Sequence, residues 1–435
     1  MASKTIYALD STALILPYTI GKRMPPVYRI LLTLKDEIDP AVLRQAVRDL
    51  VPRFPYMYTR LRRGFFWDRL EDVSEYDVVE EDNGRLCRPF DYRGKLPLMR
   101  VVYKKNELGL EFTHFTADGN SGTVYLFSLA ARYLELQGHA MEKSRLVLDC
   151  RDKPTRTELA DAFRTAYAKP EKRIRQVVPP ALQGPGKRQD GCLRATIAEL
   201  PIDAMKALLN EKYGGCTITE YLAAVYSLAF LQLYEKDGRR KPVRLEVPCN
   251  LRQYWDTDTQ RNFAGIANIC VVPGRADYDF DDVLQLVRRE MRENLSKEKM
   301  QAFIYQNLRY LKLLNAVPGF VKRAALSLGF ALVAERIWPI TSGITNLGYL
   351  RLPPSLAGHV LRYAAIMGRF GVNRIVCAAA GVNNTMAVAF SAANENTDIQ
   401  DFCIDFWERD GLPVRLTEQA DQAGSAARRG GTEVQ

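Results

Sequence analysis

Histidine is the side chain best suited to moving protons near neutral pH, and this sequence has only His114, His139 and His359. His139 follows Gly138, a helix-stopping residue, and reads as a surface position. His359 opens an apolar run after Ala357-Gly358. His114 differs from both. It follows the apolar stretch Leu108 to Thr113 and precedes Asp118 and Gly119. A strand end holds an imidazole in place, a carboxylate four residues on can brace the loop, and glycine lets another molecule approach the backbone. On spacing alone, an ordinary loop histidine before an Asp-Gly turn fits equally well.

The elements that must position His114 are legible. Val27 to Leu34 reads as a strand, and Asp39 then caps a helix with Pro40 in its first turn. Leu43, Ala46, Val47 and Leu50 form its inner stripe. Leu98 to Lys104 and Leu108 to Thr113 read as strands around Lys105-Asn106-Glu107. A helix is expected from about Ser121, lined by Val124, Phe127, Ala131 and Leu134 and stopped by Gly138. Residues 168–190 are rich in charge, proline and glycine and read as a linker. The chain thus divides into an N-terminal subdomain, 1–167, and a C-terminal one, 191–416, with a polar, disordered tail over 417–435.

In the second half, Cys192 to Leu200 reads as a strand, and Thr217 with Glu220 forms a capping box before a long apolar helix. Strands are expected at Val243 to Pro248, Ala264 to Val272, Ile344 to Leu350, His359 to Ile366, Arg374 to Ala380 and Thr385 to Ser391. Val382-Asn383-Asn384 is the turn between the last two. Asp281 to about Leu295 reads as an amphipathic helix, and Thr397 with Gln400 as a second capping box.

The bulk numbers narrow the function classes. A chain of 435 residues suits about two domains, and 47% apolar with 26% charged residues is a globular composition. The net charge of +10 has no long basic block behind it, so nucleic-acid binding rests on charge alone. Eight scattered cysteines offer no CxxC pair and no zinc spacing, so no metal is expected. No signal peptide is read at the start, which points to the cytoplasm. The longest apolar stretch, Ala324 to Ala334, falls short of the roughly 20 residues a membrane span needs.

The segment Thr113-His114-Phe115-Thr116-Ala117-Asp118-Gly119 resembles the HxxxDG motif of the chloramphenicol acetyltransferase-like superfamily, which includes BAHD acyltransferases, condensation domains and alcohol acetyltransferases. Other segments agree in order. Leu9-Asp10-Ser11-Thr12-Ala13 resembles the start of the alcohol acetyltransferase group, and Arg53-Phe54-Pro55 the arginine motif after the first helix of condensation domains. Val247-Pro248-Cys249-Asn250-Leu251-Arg252, then Asn262-Phe263, and later Thr345-Asn346-Leu347-Gly348, resemble second-half motifs. Thr113 replaces the extra histidine of condensation domains, and the DFGWG of many BAHD enzymes is missing. Both departures point to the bacterial alcohol acetyltransferase-like branch.

The resemblance implies an α/β fold of two similar subdomains, each a mixed sheet with helices, and a channel between them. It implies an acyl-CoA-dependent O-acyltransferase that moves a short acyl group, such as acetyl, to an alcohol, with His114 as general base and no acyl-enzyme. Acyl-CoA is then a co-substrate, and no cofactor is bound. A carrier-protein-bound donor, or an amide product, is the alternative, and a non-catalytic binding relative is the reading from another class. Asp118 and Gly119 become structural, with Asp118 paired to Arg53, or failing that to Arg252. Ser342, Thr345 or Asn346 can serve as oxyanion donor, and Arg252 and Asn262 as second-half support. The partners expected are acyl-CoA and a small hydroxyl compound, with no nucleic acid and no membrane span, acting on a monomer.

Overall fold

A computed structural model describes residues 5–19, 27–171, 181, 182, 184, 193–236, 241–272, 278–326, 328, 339–368 and 374–420. Most of the expected linker, Cys192, and the segment 421–435 lie outside the described residues.

The strands are β1 Ile6–Ala8, β2 Val27–Leu34, β3 Thr59–Arg62, β4 Arg69–Asp72, β5 Val79–Glu81, β6 Met99–Lys104 and β7 Glu107–Thr113 in the first half. The second half adds β8 Arg194–Pro201, β9 Val243–Asn250, β10 Ala264–Val271, β11 Ser342–Tyr349, β12 Val360–Met367, β13 Ile375–Val382, β14 Thr385–Ala392 and β15 Arg415–Ala420. They form a mixed seven-stranded sheet, β10-β9-β11-β13-β14-β8-β15, a five-stranded sheet, β12-β2-β7-β6-β5, and the small sheet β1-β4-β3. The longer helices are α1 Pro40–Leu50, α2 Gly119–Leu136, α3 Ile202–Lys212, α4 Ile218–Lys236, α5 Phe280–Asn294 and α6 Lys297–Leu314. They are followed by α7, helical over 319–326 and at Leu328, and α8 Asp398–Arg409.

The local chemistry explains these elements. Asp39 Oδ1 accepts from the amides of Ala41 (2.7 Å) and Val42 (3.3 Å), and Pro40 opens α1 where no amide is needed. Leu43, Ala46, Val47 and Leu50 are its buried stripe. α2 is buried almost all round and lies on β7. Gly122 permits this, because a Cβ there would fall 2.1 Å from Cζ of Phe112. Thr217 and Glu220 cap α4 reciprocally, each accepting from the other's amide. Asn383 and Asn384 take left-handed angles (φ 46° and 65°) in the β13–β14 hairpin, a conformation asparagine tolerates.

Three expectations are corrected. Helix α2 begins at Gly119 rather than near Ser121, because Asp118 itself is the cap. Thr397 makes no capping bond, and Gln400 instead donates to Thr196 Oγ1 (3.0 Å) in the interior. Thr417 to Ala420 belong to an edge strand on β8 rather than to a disordered tail. The halves are also not closed units. β12 comes from the second half of the chain but pairs antiparallel with β2, from Val360↔Leu34 to Met367↔Tyr28. No described helix is long and apolar enough to cross a membrane.

Candidate active site

β7 ends at Thr113, and the chain turns at once. The amides of Thr116 and Ala117 both reach back to the Thr113 carbonyl (3.1 and 3.4 Å). Phe115, Thr116 and Ala117 are buried in this turn, while His114 stays partly accessible. β2 runs antiparallel to β7 with Tyr28 opposite Phe112. Side chains alternate along a strand, so Tyr28 lies on the face towards which residue 114 projects.

Asp118 holds the turn shut. Its Oδ1 accepts from Ser121 N (2.9 Å) and its Oδ2 from Phe263 N (2.8 Å) and Arg252 Nη1 (2.8 Å). Burial pushes this carboxyl's pKa upward, but the Arg252 charge and these N–H donors outweigh it and hold it below the usual value. The aspartate's partner is therefore Arg252 rather than Arg53. Arg252 also binds the carbonyls of Thr259 (2.9 Å) and Arg261 (2.6 Å), tying the loop after β9 to the His114 turn. Arg53 makes a two-pronged pair with Glu158 instead, at 3.0 and 2.5 Å. Glu158 in turn receives the Gln260 amide on its carbonyl (2.8 Å). The two arginines thus both brace residues 259–261, the stretch that leads into Asn262.

That loop brings Asn262 to the imidazole. Asn262 Nδ2 donates to Asp10 Oδ2 (2.6 Å) and to the His114 carbonyl (2.9 Å). A carbonyl can only accept, so the amide must point its Oδ1 at His114 Nδ1, 3.3 Å away. Tyr28 Oη gives its one proton to the Ala117 carbonyl (2.7 Å) and meets the same Nδ1 at 3.2 Å as an acceptor. Nδ1 therefore faces two acceptors and carries the hydrogen, and Nε2 keeps its lone pair. Burial lowers the His114 pKa; the Asn262 hydrogen bond and the Asp118 charge oppose this without cancelling it. The imidazole is neutral at pH 7, with a basic Nε2.

The oxyanion candidates separate. Ser342 is fully buried, and its hydroxyl donates to the Ile375 carbonyl (2.6 Å) beside Tyr226 Oη (2.8 Å). Asn346 Nδ2 donates to Thr219 Oγ1 on α4 (2.9 Å), and its Oδ1 accepts from Gly348 N (2.8 Å). Both residues are turned towards α4. Thr345 lies between them in β11, paired with Ala378 and pointing to the other face, as Leu347 does. Leu347 reaches the His114 turn, since a Cβ on Gly119 would come within 2.9 Å of its Cδ2.

No family model matches the chain, and no curated protein matches it in sequence. Solved structures do. The chain is similar to the first condensation domain of the calcium-dependent antibiotic synthetase, at 13% identity and TM-score 0.59, over 94% of this chain and 99% of that one. It is similar to TRI3 trichothecene 15-O-acetyltransferase from Fusarium sporotrichioides, at 11% and 0.56, over 93% and 95%. A third is the starter condensation domain of rhizomide synthetase RzmA in complex with C8-CoA, at 12% and 0.55, over 92% and 94%. This is the chloramphenicol acetyltransferase-like fold. Within this fold, sequence reasoning had His114, Asp118 and the Arg252 fallback. It had no role for Tyr28, Asp10 or Glu158. The available signal was Asp10 in its motif, and a tyrosine in an otherwise apolar strand.

A cavity of about 260 Å³ opens beside Ser11, the neighbour of Asp10, and is walled by Arg164, Tyr167 and the α6 residues Leu308, Leu311 and Lys312. Among the described residues no group of three or more His, Cys, Asp or Glu could hold a metal ion.

Proposed function

We propose that this chain transfers an acyl group from a thioester to a hydroxyl, with Nε2 of His114 as general base. The observation that carries this is the pair of acceptors at Nδ1, Tyr28 Oη and Asn262 Oδ1, which leaves Nε2 free. Nε2 takes the proton of the acceptor O–H as its oxygen attacks the thioester carbonyl. Collapse of the tetrahedral intermediate expels the thiolate, which recovers the proton from the imidazolium. Both substrates meet at one histidine, so no acyl-enzyme is needed. Thr345, on the face of β11 that also carries Leu347, is the side chain assigned to the developing oxyanion. Asp118, Gly119, Arg53, Arg252 and Asn262 position the base.

The donor we assign is a short-chain acyl-CoA, the acceptor a small alcohol, and the working form a cytoplasmic monomer of two subdomains. Similarity to an O-acetyltransferase and to a domain holding C8-CoA supports this reading. Similarity to condensation domains favours a second one, a carrier-bound donor or an amide product. A thiol-release assay across acyl-CoA lengths and alcohol or amine acceptors tests the proposal. His114→Ala should lower the rate about 10²–10⁴-fold. A variant that kept most of the activity would sink the mechanism. Activity with carrier-bound but not free acyl-CoA would favour the second reading.

A further inference from the structure

Helix α7 is built inside out. Phe320, Val321, Ala324, Ala325 and Leu328 are all exposed, Phe320 at 68% and Leu328 at 61%. Their spacing places them on one helical face. The charged residues between them point inward. Lys322 is 1% exposed, with Nζ donating to the Leu314 carbonyl (3.2 Å) and lying 3.1 Å from the Trp67 ring centroid. Arg323 pairs with the buried Asp68 at 3.0 Å. These contacts fix the helix rotation, so the apolar face is held in solvent.

A loop tip joins this face. The β3–β4 hairpin tip is pinned to α7 by the Gly319 amide on the Phe65 carbonyl (2.6 Å), and to the end of α6 by Trp67 Nε1 on Asn315 Oδ1 (2.9 Å). It holds Phe65 and Phe66 in solvent, edge to face. On α6, the preceding helix, Tyr310 and Leu313 are exposed as well, at 66% and 73%. Soluble monomers rarely expose so many large apolar groups together. Cations accompany them beside the hairpin tip: Arg63, and Arg62, whose Nη1 also reaches Glu71 (3.2 Å), are both exposed.

We propose that this face docks on an anionic lipid bilayer surface. Phe65, Phe66, Phe320 and Leu328 enter the boundary between headgroups and acyl chains, and Arg62 and Arg63 meet the lipid phosphates. Projecting aromatic and aliphatic groups beside long cationic side chains are the chemistry of an interfacial helix. The cations argue against a second copy as occupant, because a two-fold contact through one patch brings like charges together.

Co-sedimentation of the full chain with vesicles tests this without any activity readout. The protein should pellet with phosphatidylcholine–phosphatidylglycerol vesicles, less with phosphatidylcholine alone, and less as salt is raised. Phe320→Asp with Leu328→Asp should weaken binding about tenfold or more while circular dichroism stays unchanged. Phe65→Ser with Phe66→Ser, in a loop tip, should weaken it independently. A wild-type protein that stays in the supernatant overturns the proposal, as does variant binding equal to wild type. It is equally overturned if the Asp variants dissolve a dimer instead, or if the face retains an acidic carrier protein but not vesicles.

Discussion

At the level of single residues, the behaviour of His114 depends on a side chain remote in sequence. Asn262 accepts the Nδ1 hydrogen only because its own Nδ2 is held by Asp10 and by the His114 carbonyl. Asn262→Ala should reduce kcat about 10–100-fold with little change in KM, measured by steady-state thiol release. That hydrogen bond raises the histidine pKa against burial, so its loss should also move the acid limb of the pH profile lower. The wild-type acid limb should already lie below the ordinary histidine value of about 6.5. The sign follows from burial: it disfavours imidazolium, so activity persists at a pH where a free histidine would be protonated. His114 was legible because a lone histidine at a strand end, followed by Asp and Gly, is a local pattern. Tyr28 was not legible, since its partnership depends on the β2–β7 register.

At the level of elements, Asp118 and Arg252 join the start of α2 to the loop after β9. Removing Arg252 leaves a buried carboxylate without its cation. Arg252→Met should cost about 3–5 kcal/mol in urea unfolding, more than any exposed arginine. Folding lowers the Asp118 pKa. Its contribution to stability is therefore full above the unfolded carboxylate value of about 3.9, and is lost as pH falls through the folded value. Asp118→Asn should flatten that acid loss, read as unfolding midpoint against pH. The motif order suggested Arg53 for this pairing because it follows the first helix. Arg53 is buried and Arg252 partly so, and nothing in either one's local sequence says which carboxylate it meets. Thr397 shows the same limit: Thr-x-x-Gln has the spacing of a cap, but the interior claims the glutamine.

Across the whole molecule, continuous apolar runs revealed nearly every strand of the two large sheets, because strands such as β2, β13 and β14 are buried on both faces. Sheet membership depends on distant partners, and so nothing local in β12 says that it pairs with β2. Arg362 on β12 reinforces the crossover by binding Glu107 of β7 (2.6 Å) and Glu199 of β8 (2.9 Å). The two halves should therefore melt together. Differential scanning calorimetry should give one cooperative transition, and two resolved peaks would contradict the coupling.

The β12 crossover also limits how such a protein can be divided or recombined. A gene cut in the proline-rich stretch near residue 180 would yield an N-terminal fragment whose five-stranded sheet lacks its outer strand, exposing the backbone edge of β2. The other fragment would carry β12 as an orphan ribbon seeking that edge. Expressed separately, the pieces should aggregate; expressed together, they should find each other through that strand. Grafting a foreign half onto either piece would succeed only if the donor sequence also supplies a β12 that matches the recipient's β2.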